Sequence, residues 1–87
     1  MSAHAEFAVR MVAWLNEELL PKGVHVQADT PLFAGRLLDS LKVLELIAFT
    51  EEAIGRAIPD SQMRMDNFQT VTRIAAVFLP VDNHVAA

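Results

Sequence analysis

The stretch Leu37-Leu38-Asp39-Ser40-Leu41-Lys42-Val43-Leu44-Glu45-Leu46-Ile47-Ala48-Phe49-Thr50-Glu51-Glu52-Ala53-Ile54-Gly55 decides the fold. Its middle reads as one amphipathic helix from about Ser40 to Ile54, because apolar residues recur at helical spacing. Leu41, Leu44, Ile47 and Ala48 set the stripe, and Leu46, Thr50 and Ile54 broaden it. The reading places Leu41, Leu46, Ile47 and Ile54 in the core and leaves Leu44 partly exposed. Asp39 or Ser40 can cap the helix, since a short polar side chain there accepts an orphan backbone N–H. Gly55 can stop it in a left-handed conformation.

Working outward, residues 3–20 carry Phe7, Met11, Leu15 and Leu19 at steps of four, with Val12 widening the stripe. A helix is predicted, ended by Pro21 and Gly23. Residues 21–38 read as a long ordered loop with Val24, Val26, Leu32 and Phe33 tucked inward. Thr30 before Pro31 suggests a short helical turn, with threonine as its cap. Loops this long in a small domain often serve function. Beyond Gly55, Ile58-Pro59 reads as extended, because the residue before proline avoids the helical region. Residues 60–68 predict a short helical piece with Met63, Met65 and Phe68 facing inward. The last helix runs from the capping Thr70 to about Leu79, buries Val71, Ile74, Ala75 and Phe78, and stops at Pro80. The expected fold is all-α, a small four-helix bundle of three main helices and one short one with a long first loop.

The 87 residues predict a single domain over 1–87, with a core at about 3–79 and a tail at 80–87. Conformational entropy demands heavy burial in so short a chain, and a composition 53% apolar and 21% charged permits it. Seven basic against eleven acidic residues give a net charge of −4. That balance disfavours nucleic acid, which needs a basic footprint, and suits a basic patch on a protein partner. Cysteine is absent, so no disulfide or thiolate metal site is possible. His4, His25 and His84 lack metal-ligand spacing. No membrane span and no basic-then-apolar leader is visible, and the expectation is a cytoplasmic monomer.

A serine where a long loop meets a helix is most often a simple cap. It is also a good place for a covalent phosphodiester, because free N–H groups and the helix dipole favour an anion by roughly 0.3–1 kcal/mol. The wider pattern separates these readings. Leu32-Phe33, Leu37-Leu38-Asp39-Ser40-Leu41, Leu44-Glu45-Leu46, Glu51-Glu52, Ile58-Pro59-Asp60, Asp66-Asn67-Phe68, Thr70-Val71 and Ile74-Ala75 follow in order. Together, over about residues 30–79, the chain resembles the acyl and peptidyl carrier protein family.

The resemblance implies a non-catalytic protein whose Ser40 carries 4'-phosphopantetheine, attached by a phosphopantetheinyl transferase with coenzyme A as donor. It implies that Asp39 takes part in recognition by the transferase, and that the helix after the serine is the main docking surface. A loading ligase or acyltransferase and downstream synthases or transferases would be the other partners. Arg36, Leu41, Lys42, Leu44, Glu45, Ala48 and Phe49 are the candidate partner-facing residues. Leu41 is counted also as an apolar anchor beside the serine, opposite Leu38. The chain departs from the family in one place: Arg36 stands where relatives commonly have glycine, with Gly35 before it.

With no fused catalytic segment in view, a free-standing carrier is expected. The altered approach to the motif and the mixed charge of the second helix favour a specialised polyketide or nonribosomal peptide pathway. A fatty-acid or D-alanyl carrier is the alternative within the class. Outside it stands a helical interaction module in which Ser40 only caps a helix. A Ser40–Asp39–His25 hydrolase is disfavoured, because Asp39 adjoins the serine and no nucleophile-elbow glycines flank it.

Overall fold

The computed structural model describes residues 3–34 and 37–79. Helix α1 spans Ala3–Trp14 and continues as a π-helical segment, Leu15–Leu19. Helix α2 spans Ser40–Ile54 and helix α3 Val71–Phe78, with 3₁₀ turns at Asp60–Gln62 and Met65–Phe68 between them. The described residues are helical or irregular, with no strand among them. The expected tail, 80–87, lies outside the described residues.

The first helix keeps its predicted length but changes winding. Leu20 N–H donates to Leu15 O at 2.8 Å, across five residues instead of four. In an α-helix Leu20 would sit about 140° round the axis from Leu15. The wider turn brings Leu15, Leu19 and Leu20 onto one face, and all three are buried with Phe7 and Met11.

Three sets of hydrogen bonds hold the long connection to the helices. Asn16 is a two-point clamp: its Oδ1 accepts from Val26 N–H at 2.8 Å, and its Nδ2 donates to Val26 O at 3.1 Å. Thr72 donates through both N–H and Oγ1 to Ala28 O. Leu32 N–H donates to Gln69 O at 2.7 Å. Val26 and Leu32 are buried, while Val24 and Phe33 are half-buried against the core. Thr30 does not cap a turn ahead of it. Its Oγ1 accepts from Gln27 N–H and so closes the turn behind it.

Helix α3 follows its sequence closely. Thr70 Oγ1 accepts from Arg73 N–H at 3.0 Å, and Val71, Ile74, Ala75 and Phe78 are all buried. Arg56 donates to Phe78 O at the other end. Of the three helices, α1 and α3 are the most closely apposed, and α2 stands further off.

Helix α2 departs from expectation. Its buried residues are Leu46 and Thr50, with Val43, Ile47, Phe49, Ala53 and Ile54 half-buried beside them. Leu41, expected in the core, is 69% exposed, and Leu44 is 62% exposed. At about 100° per residue, Leu41, Leu44 and Ala48 lie roughly opposite Leu46 and Thr50. The sequence thus carries two apolar stripes on one helix, and only the second faces inward. Thr50 tolerates complete burial because its hydroxyl donates to Leu46 O at 2.9 Å.

The 60–68 piece is also corrected. It forms two separate 3₁₀ turns, joined through Met63 and Arg64 and tied by Asn67 Nδ2 donating to Gln62 O. Only Phe68 reaches the core, where its ring lies 5.1 Å from that of Phe78. Met63 and Met65 are exposed rather than inward-facing.

Candidate functional site

The start of α2 is built by three consecutive residues with different environments. Leu38 is buried and fixes the end of the loop. Asp39 is extended, with φ −96° and ψ −178°, and its Oδ1 accepts from Lys42 N–H at 2.9 Å. Ser40 is the first helical residue and is exposed. The cap is therefore Asp39, and none of the hydrogen bonds among the described residues engages the Ser40 side chain.

This geometry leaves a hydroxyl in solvent at the positive end of a helix of fifteen residues. An anion on Ser40 would meet the dipole and the first N–H groups of α2. It would also meet the Asp39 carboxylate, which already offsets part of that field. No described histidine or carboxylate hydrogen-bonds to the Ser40 hydroxyl. A group attached there would extend away from the core.

The other candidate residues divide by face. Leu41, Leu44, Glu45 and Ala48 are exposed on α2. Leu41 does not anchor the serine, so Leu38 alone supplies a buried neighbour. Lys42 is half-buried on the core-side flank of α2. Phe49, read as an exposed contact, is instead packed: its ring stacks on Trp14 with centroids 4.4 Å apart and planes 21° from parallel. Arg36 lies outside the described residues.

Two features escaped the sequence. The Asn16 clamp shows no periodicity signal, because asparagine on an exposed-looking flank resembles any solvated residue. The stacked Trp14–Phe49 pair walls a shallow groove of about 470 Å³ between α1 and α2, lined also by Arg10, Glu45, Ala48, Glu52 and Ala53. Pairing of those two aromatics needs the helix packing and is invisible in either helix alone.

No protein-family model matches this chain, and no curated protein matches it. No helix among the described residues is long and apolar enough to cross a membrane. The described residues contain no cluster of three or more histidine, aspartate or glutamate side chains suited to a metal ion.

Proposed function

We propose that the protein is a carrier, with 4'-phosphopantetheine esterified to Ser40 and an acyl or aminoacyl group held on that arm as a thioester. The observation that carries this reading is the placement of Ser40: solvent-exposed, first in α2, with Asp39 doing the capping in its stead. A modifying enzyme can reach such a hydroxyl without disturbing the core. The residues present fit the group, because the attachment point faces solvent and the helix start favours a phosphodiester. When attached, the arm supplies the thiol that forms the thioester.

The chain's own residues have simpler tasks. Leu38 holds the approach to the serine in place, and Asp39 fixes the first turn of α2 while marking the site for the phosphopantetheinyl transferase. Leu44, Glu45 and Ala48 offer an exposed surface on which loading and downstream enzymes dock in turn. Docking of this kind is weak and electrostatically steered, so that one partner is released before the next is met. On this reading the all-helical architecture, three helices with two short 3₁₀ turns, is a variant of the four-helix carrier bundle, and cargo from a specialised polyketide or nonribosomal peptide pathway is the favoured assignment.

Incubation with coenzyme A, magnesium and a broad-specificity phosphopantetheinyl transferase tests the proposal by intact mass. The expected result is a single phosphopantetheine adduct on the wild type and none on Ser40→Ala. An unmodified wild type counts against a carrier, and an adduct that survives Ser40→Ala places the arm elsewhere.

One observation favours a second reading. Leu41 and Leu44 form an exposed apolar pair, as a helix-binding module would present. In that case the chain stays unmodified and still forms a stable complex.

A further inference from the structure

We propose that Met65 is a reversible oxidation site, at which a peroxide turns the thioether into its sulfoxide and so loosens the seam between the long connection and the second 3₁₀ turn. The inference uses neither Ser40 nor any group attached to it.

The chain has four methionines and no cysteine, so without an arm its thioethers are the only sulfur a peroxide meets. Three of them lie among the described residues and form a graded series. Met11 is wholly buried in the core, Met63 is 39% exposed and Met65 is 64% exposed. A thioether has no proton to lose before it reacts, so access to the sulfur sets the order of attack. Met65 comes first, Met63 second, and Met11 reacts only when the chain unfolds.

The surroundings of Met65 give its oxidation a consequence. It lines a cleft of about 240 Å³ with Pro31, Phe33 and Ala34 of the long connection and with Gln69. A thioether suits such a cleft, above all beside an aromatic ring. Leu32, between Pro31 and Phe33, is fully buried, and its N–H donates to Gln69 O at 2.7 Å. The cleft is thus built on the residues at both ends of one hydrogen bond.

In the reaction the sulfur lone pair attacks one peroxide oxygen. An S–O bond forms as the O–O bond breaks, and proton transfer to the departing oxygen releases water. Sulfur gives up two electrons and the peroxide receives them. The sulfoxide is polar where the thioether was apolar, and it brings water to the lip of the cleft. It also brings a strong acceptor. Gln69 Nε2, held to Asp66 Oδ1 by a bond of 3.4 Å, is a donor in the same cleft for that oxygen. Wetting the lip and turning Gln69 both act on the Leu32 pin. Because Met65 is largely exposed, the change stays local, and a reductase can reach the sulfoxide to reverse it.

The test treats the full chain, shown by intact mass to carry nothing on Ser40, with hydrogen peroxide. Proteolytic fragments are then followed by mass for the added oxygen. Met1 lies outside the described residues and is read on its own fragment. Met65 should gain oxygen before Met63, and Met11 should stay unchanged while far-ultraviolet circular dichroism holds its native form. Hydrogen exchange at Leu32 should rise about twofold to tenfold on oxidation, the scale of one lost sulfur–aromatic contact. The two epimer-specific methionine sulfoxide reductases together should restore it. Met65→Leu keeps an apolar side chain at an exposed position, and its Leu32 exchange should not respond to peroxide. Oxidation of Met63 or Met11 ahead of Met65, unchanged exchange at Leu32, a response that survives in Met65→Leu, or a sulfoxide that the reductases leave untouched would each overturn the proposal.

Discussion

Helices α2 and α3 are built from similar residues, yet only for α3 does the sequence tell which face is buried. In α3, eight residues carry a single apolar stripe, and that stripe is the one buried. In α2, fifteen residues carry two stripes, and the leucine-richer one faces water. Hydrophobic periodicity reports that a helix has an apolar face. It reports which face is inward only when there is just one. On the reading proposed above, the surplus apolar stripe of α2 is the surface that partner enzymes meet.

The sharpest way to break this contrast is to truncate one residue from each helix. Ile74→Ala in α3 empties a fully buried site and should cost about 2–5 kcal/mol. Leu44→Ala in α2 removes as many apolar atoms from a largely exposed site and should stay within about 0.5 kcal/mol. Urea unfolding followed by far-ultraviolet circular dichroism measures both. Similar losses for the two variants would mean that α2 packs through Leu44 after all, and the exposed stripe would cease to be a candidate surface.

A smaller effect is expected where the loop meets α1. Asn16→Ala removes both bonds of the clamp and leaves the Val26 N–H and carbonyl short of partners in a part-buried setting. The expected loss is about 1–3 kcal/mol. Hydrogen exchange at Val26 should rise together with that at Leu32 and Thr72, whose N–H groups make the other two pins of the same connection. Faster exchange at Val26 alone would show that the Thr72 and Gln69 contacts hold the loop without the clamp.

These cases mark what could be read in advance. The helix limits were legible because their signals are local: Thr70 and Asp39 as caps, Gly55 at φ 75° as a stop, Pro21 beyond the first helix. The exposed serine at the head of α2 was legible for the same reason. The π-helical turn was not, because it answers to the joint burial of Leu15, Leu19 and Leu20, which no single turn encodes. Met63 and Met65 stand outside the core although both are apolar, because the backbone there makes two tight turns instead of a helix. The Trp14–Phe49 stack needed α1 and α2 side by side. In each miss, a contact distant in sequence decided the outcome.

The smallest effect separates two duties assigned to Asp39. Its carboxylate caps α2 by accepting from Lys42 N–H, and the carrier reading adds recognition by the transferase. Asp39→Ala loses both and should cost about 0.5–2 kcal/mol of stability. Asp39→Asn keeps a capping oxygen and should stay within a few tenths of a kcal/mol of wild type, because asparagine is as good a cap as aspartate. What asparagine lacks is the charge. If the transferase reads that charge, Asp39→Asn should be modified more slowly at Ser40 than wild type while unfolding at nearly the same urea concentration. If modification tracks stability across the pair instead, Asp39 serves Ser40 only by holding the first turn of α2, and the recognition role falls away while the tether on Ser40 stands.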